Sequence, residues 1–174
     1  MFYPVKLITG VLYPDERWRE WVIEKVTAVW GEIDAESEPV PFDLTNYYHD
    51  IAPTLYRQFL SFKGLRHGGD IVRWKKESCS IEEESSKAFE NRTIRTVNID
   101  PGYVNGARLV LASTKDHAHR IYISDGIFAE VTMRYRFKRW VPFDYTFPDF
   151  ASERYDAFLL KARDIWSKEM AERR

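Results

Sequence analysis

The chain has 174 residues and a formal net charge of −1, from 26 basic and 27 acidic side chains. That length suits a single domain spanning residues 1–174, and the charge balance excludes a global field that would gather nucleic acid or anionic lipid. Cys79 is the only cysteine, which excludes an intrachain disulfide and suits a reducing compartment.

Val5 to Tyr13 is a Val/Leu/Ile-rich run, as in a strand covered on both faces. It is too short to span a membrane and lacks a small-residue cleavage pattern, so the expected address is the cytoplasm. Pro14, Asp15 and Glu16 suit a helix start, and Trp18, Trp21, Val22, Val26 and Val29 recur at helical spacing up to a stop at Gly31. Pro39 and Pro41 make any strand within Ile33–Phe42 an edge strand or an irregular one. Leu55–Phe62 reads as the next strand. Asp70 is placed to cap a helix with an apolar stripe through Ile71, Trp74, Ser78, Ile81, Ser85 and Ala88. Its other face, with Lys75, Lys76, Glu82, Glu83 and Glu84, reads as a solvated surface.

Thr93–Ile99 has strand composition, which completes an α+β order, β-α-β-β-α-β, the ferredoxin-like core. Asp100-Pro101-Gly102-Tyr103 has the residues of a type II turn. Residues 104–114 fit helix and strand periods alike, and helix is the reading adopted. His119–Ile123 and Ile127–Tyr135 flank Asp125-Gly126, a two-residue hairpin signal. An aromatic connector, Trp140–Phe150, leads to a C-terminal helix striped by Tyr155, Phe158, Leu159, Ala162, Ile165, Trp166 and Met170. The expected fold is therefore the ferredoxin-like core extended by a β-hairpin and a C-terminal helix.

The runs Asn98-Ile99-Asp100-Pro101-Gly102-Tyr103, Leu111-Ala112-Ser113-Thr114-Lys115-Asp116, His119-Arg120-Ile121-Tyr122 and Gly126 to Thr132 are distinctive. So are Val5-Lys6-Leu7, Glu38-Pro39 with Pro41-Phe42-Asp43, Phe59-Leu60-Ser61-Phe62 and Tyr145-Thr146-Phe147-Pro148-Asp149. In these runs the chain resembles, over nearly its whole length, the bacterial and archaeal family grouped as domain of unknown function 4416. The resemblance implies kinship and no particular activity. Some members carry the label of GTP-binding protein, but this chain has no G-x-x-x-x-G-K-[ST] loop. His117 stands where the family leads one to expect an aromatic residue, and Ser78-Cys79 where it leads one to expect Thr-Asn.

Polar side chains cluster between residues 98 and 132. If Asp125 and Gly126 form a two-residue turn, His119, Ile121, Ile123, Phe128, Glu130, Thr132 and Arg134 share one face, with Arg120 and Tyr122 on the other. Glu130 among apolar neighbours reads as a general base or a ligand-anchoring acceptor with His119 beside it, or as one half of an ion pair with Arg134 or Arg108. Ser113, Thr114 and Lys115, joined by Arg120, have the donors for an anion, or form a polar element end. His117 and His119, with Glu130 or Asp116, have strand spacing for a divalent metal, but no metal site is assigned and no cofactor is implied.

Arg134, Arg136, Lys138 and Arg139 alternate with Tyr135, Phe137 and Trp140, the pattern of an RNA-stacking strand or of a half-buried one. Near-zero net charge argues against nucleic acid. The favoured function is a small-molecule site for an anionic or phosphate-bearing ligand, a nucleotide included. The alternatives are an RNA-binding module and a non-enzymatic interaction domain. Convergence of Asn98, Asp100, Lys115, His119, Arg120 and Glu130, with Tyr103 nearby, is the geometric expectation.

Overall fold

A computed structural model describes residues 1–89 and 94–173. β1 (Pro4–Tyr13) leads into α1 (Glu16–Trp30), β2 (Ile33–Glu36), β3 (Val40–Pro41), β4 (Tyr56–Phe62), β5 (Arg66–His67) and α2 (Ile71–Ser85). β6 (Asn98–Val104), β7 (Arg108–Ser113), β8 (Ile121–Ser124), β9 (Ile127–Arg136) and β10 (Arg139–Pro142) follow, then α3 (Pro148–Ala151) and α4 (Asp156–Glu172). The result is an α+β fold whose sheet runs β10-β9-β7-β6-β1-β4-β2, with β3 beside β4, β5 beside β1 and β8 beside β9. No helix among the described residues is long and apolar enough to cross a membrane.

β1 is buried from Val5 to Tyr13 because both of its faces are covered. Val5, Leu7, Val11 and Tyr13 pack under α1 and α2 with Trp18, Val22 and Trp74. Ile8, on the opposite face, packs with Phe59, Val104, Phe158 and Leu159 beneath α4. Asp15, one residue beyond the expected start, opens α1 by accepting from the Trp18 N–H at 3.0 Å. The proline-bearing segment does lie at an edge, as β2 and β3.

Several expectations are corrected. Asp100-Pro101-Gly102-Tyr103 is no turn: all four residues lie inside β6, which pairs with β1 from Asn98 to Val104. Residues 104–114 are not a helix: a turn at Asn105–Arg108 leads into β7, held between β6 and β9. Asn105 makes that turn by accepting through its side-chain oxygen from the N–H groups of Ala107 and Arg108, at 2.9 and 3.0 Å. The expected strand from Thr93 begins only at Asn98, and Thr93 itself lies outside the described residues.

The hairpin turn forms at Asp125 and Gly126, with φ of 53° and 75°. Its register slips, however, at an irregularity between Tyr122 and Ser124, so Tyr122 rather than Ile123 faces Phe128. β8 begins only at Ile121, so His119 precedes it and takes no place on its face. A second hairpin, β9–β10, turns at Phe137 and Lys138, with φ of 54° and 59°. On α2, Lys75 and Glu82 are buried, against the expected solvated face, while Ala88 is exposed beyond the helix end.

Candidate functional site

β6 and β7 pair over only three rungs, Gly102↔Leu111, Tyr103↔Val110 and Val104↔Leu109. One more rung would set Pro101 opposite Ala112, and proline has no N–H to complete it. The two strands part there. Gly102 guards the last rung, since a Cβ at that position would collide with the backbone carbonyl of Val110. A cavity of about 150 Å³ opens between the parted strands.

On the β6 lip the lost strand is replaced by side chains. The Ile99 N–H donates to Glu82 Oε1 at 2.6 Å, and its carbonyl accepts from Lys75 Nζ at 2.9 Å. Both come from α2, which covers the other face of the sheet, so they reach the cavity through the opening. Burial of Lys75 and Glu82 is thereby explained: they satisfy backbone groups that water cannot reach. Asp100 accepts from Asn98 Nδ2 at 2.8 Å, and Arg57 Nη2 and Lys75 Nζ each stand 3.6 Å from its carboxylate. Arg57 Nη1 pairs with buried Asp149 at 2.9 Å, while its Nε is buried with no partner among the described residues. Glu82 also pairs with Arg95 at 3.0 Å.

The β7 lip is organised by Arg120. Its Nε donates to Glu130 at 2.9 Å and its Nη1 to Ser113 Oγ at 2.8 Å and the Lys115 carbonyl at 3.0 Å. Glu130, set opposite Leu111 by the β7–β9 register, also accepts from Thr132 at 3.1 Å and lies 2.8 Å from His119 Nε2. The His119 ring stacks on Tyr145, centroids 4.3 Å apart and planes 12° apart. Lys115 Nζ donates to the Tyr47 hydroxyl and sits 4.2 Å over that ring, linking the β7–β8 loop to the segment between β3 and β4.

Burial lowers the Lys115 pKa, and the Arg120 charge adds to the effect. Burial works against the Arg57 charge, yet the carboxylates of Asp149 and Asp100 hold its pKa above the ordinary value. Burial pushes up Glu82, and also the phenol of Tyr48, which Asp100 raises further. The Cys79 thiol, on the cavity wall, is likewise raised by burial, which is the wrong direction for a nucleophile.

Of the residues expected to converge, Asn98, Asp100, Lys115, Arg120 and Glu130 line the cavity with Ser113 and Thr114, and His119 joins through Glu130. Tyr103 does not: strand alternation turns it to the α1/α2 side, where it packs on that core. Glu130 pairs with Arg120 and His119 instead of Arg134 or Arg108, which face each other across β9 and β7. Arg57, Lys75 and Glu82 were missed, together with the aromatic wall of Tyr47, Tyr48, Phe147 and Phe150. Among the described residues no cluster of three or more His, Cys, Asp or Glu side chains is arranged to hold a metal ion. Of the basic-aromatic run, Arg134 lies over Phe143 and Arg136 over Phe137, while Trp140 is buried.

Fold and cavity define an α+β protein whose split sheet encloses charged side chains from both of its faces. Residues 3–166 match the family described as domain of unknown function (DUF4416), and the chain belongs to that family. No curated protein and no solved structure matches it.

Proposed function

We propose that the cavity between β6 and β7 binds a small anionic, phosphate-bearing molecule. The observation that carries this reading is an excess of positive charge around enclosed space. Five cationic side chains line the cavity (Arg57, Lys75, Arg95, Lys115 and Arg120) against three carboxylates, Glu82, Asp100 and Glu130. Counting Asp149 behind Arg57 still leaves one cation uncompensated. Positive charge in excess of its carboxylates, with donors to spare, favours an anion. A volume of about 150 Å³ lies below the roughly 300–1,000 Å³ of drug-sized ligand sites, so a short phosphorylated compound fits better than a nucleotide. Glu130 and His119 enter this reading as the pair that holds Arg120 in place.

The same reading takes the central strands as a ferredoxin-like core, on the strength of the order β6-β1-β4-β2 with every neighbour antiparallel. It extends that core, within one domain, by β7 to β10 and α4. A cytoplasmic address accords with the single, unpaired Cys79.

A thermal-shift series with inorganic phosphate, short phosphate esters, sugar phosphates and nucleotides tests the proposal. A ligand present at a hundred times its Kd stabilises the fold by about 2.7 kcal/mol. Stabilisation by a phosphate-bearing compound, lost in Arg120→Gln, is the expected result. No shift with any member of the series would sink the reading.

A further inference from the structure

We infer that the ligand is bifunctional: a phosphate monoester on a short carbon chain that also carries a hydroxyl group, with the phosphate on the β7 lip and the hydroxyl on the β6 lip. This rests on the reading of the cavity as an anion site and assigns its two walls different tasks.

The first support is where the charge lies. On the β6 lip each cation has a carboxylate beside it: Arg57 has Asp149 and Asp100, Lys75 has Asp100, and Arg95 has Glu82. Three cations face three carboxylates there, so that wall is neutral. On the β7 lip Arg120 has Glu130, while Lys115 has no carboxylate partner among the described residues and meets the hydroxyl and ring of Tyr47. The unspent positive charge therefore sits at Lys115. Ser113 and Thr114 place hydroxyl donors beside it, and a phosphate belongs on that wall.

The second support is register. Continued past the last rung, the β6–β7 pairing sets Asp100 opposite Ser113. A ligand between the lips thus meets a carboxylate on one side and the anion donors on the other. A second anionic group would be repelled by Asp100, and an apolar end would leave that carboxylate desolvated without a ligand donor. A hydroxyl group both donates and accepts. It can donate to Asp100 and accept from Arg57, whose guanidinium lines the cavity beside that carboxylate. Losing such a hydroxyl leaves polar protein groups unpaired, and sites of that kind discriminate strongly against the analogue that lacks it.

Titration calorimetry of the full chain with three probes tests this: inorganic phosphate, propyl phosphate and glycerol 3-phosphate. The expectation is that glycerol 3-phosphate binds at least about tenfold tighter than propyl phosphate, and that Asp100→Asn brings the ratio close to one. Ser113→Ala should weaken both esters while preserving their ratio. Equal affinity of the two esters for the unmodified protein would overturn the inference and leave the anion reading standing. Binding of none of the three would overturn both. A ratio that survives in Asp100→Asn would remove the hydroxyl from the β6 lip. Should that variant fail to fold, the ratio measured on the unmodified protein decides alone.

Discussion

The molecule buries charge in two places, and they differ in what remains over. Beneath α4, Lys6 is fully buried and its ammonium meets Asp34 and both oxygens of Glu169, the latter at 2.9 and 3.1 Å. Asp34 also accepts from Ser61, and Glu169 from the Gly64 N–H, so α4, β1, β2 and the turn after β4 are tied through one ammonium. Two carboxylates face one ammonium there, but every charged atom has a protein partner, and in that sense the cluster closes on itself. Between β6 and β7, cations outnumber carboxylates, an arginine nitrogen lacks a partner, and the groups surround open space. A buried ion cluster that closes belongs to the architecture, whereas one left open beside a cavity is a place for something else.

The sharpest way to break this contrast is to open the closed cluster. Lys6→Met leaves Asp34 and Glu169 facing each other with no cation between them. Removing one partner from a buried ion cluster costs about 3–5 kcal/mol. Urea denaturation should show a loss of that size, and the folded fraction should still bind the phosphate probe with unchanged Kd. A Lys6→Met protein as stable as its parent would mean that the cluster holds nothing together. Gly102→Ala should act on the other region through packing, because its Cβ must displace the Val110 carbonyl, part of a backbone that cannot swing aside. Overpacking of this kind costs about 1–3 kcal/mol. The same denaturation measurement checks it, and an unperturbed melting curve would show that β6 and β7 are not closely apposed there.

These two positions also show what could be read from the chain before its fold was known. β1 and α1 were legible because a continuous apolar run and a tryptophan stripe are decided locally by burial and period. The Asp125-Gly126 turn was legible because few dipeptides adopt two successive positive φ angles. Pro101 and Gly102 misled for the same reason: side by side they spell a turn, and their actual tasks are set by β7, which is remote in that local pattern. Pro101 ends a ladder and Gly102 admits a carbonyl. Asn105-Gly106, a turn dipeptide inside the stretch read as helix, was the signal that would have made residues 108–113 a strand.

Within the site, residues interrupting apolar runs on β6, β7 and β9 could be named in advance. Lys75 and Glu82 could not, because one buried polar face of a helix has the same spacing as a solvated one. Arg57 and Tyr47 reach the cavity only through long-range packing.

A milder test separates binding from stability on the open side. Lys115 is exposed and unmatched by carboxylate, so Lys115→Ala should change stability by no more than about 0.5 kcal/mol. Loss of the one uncompensated ammonium should nevertheless weaken phosphate binding about tenfold, near 1.4 kcal/mol. Calorimetry on the variant checks this, and unchanged affinity would move the anion away from the β7 lip.

The smallest effect expected is a pH dependence, and its sign distinguishes ligand from fold. Burial, and then the charge of Arg120, lower the Lys115 pKa from its ordinary 10.5. An anion is held by the ammonium and not by the free amine, so affinity is full below the lowered value and declines as pH rises through it, before 10.5 is reached. Folding responds in the opposite sense. A lysine whose pKa is depressed in the native state is charged more readily in the unfolded chain, so its contribution to stability improves as pH rises through the same window. Phosphate monoesters have lost their second proton by about pH 8, given a second pKa near 6, so the ligand itself does not titrate there. Calorimetric affinities measured from about pH 8 upward should therefore fall for the unmodified protein. In Lys115→Arg, whose guanidinium stays charged, they should stay level. A decline of equal size in both proteins would assign the titration to another group and take Lys115 out of the anion's contacts.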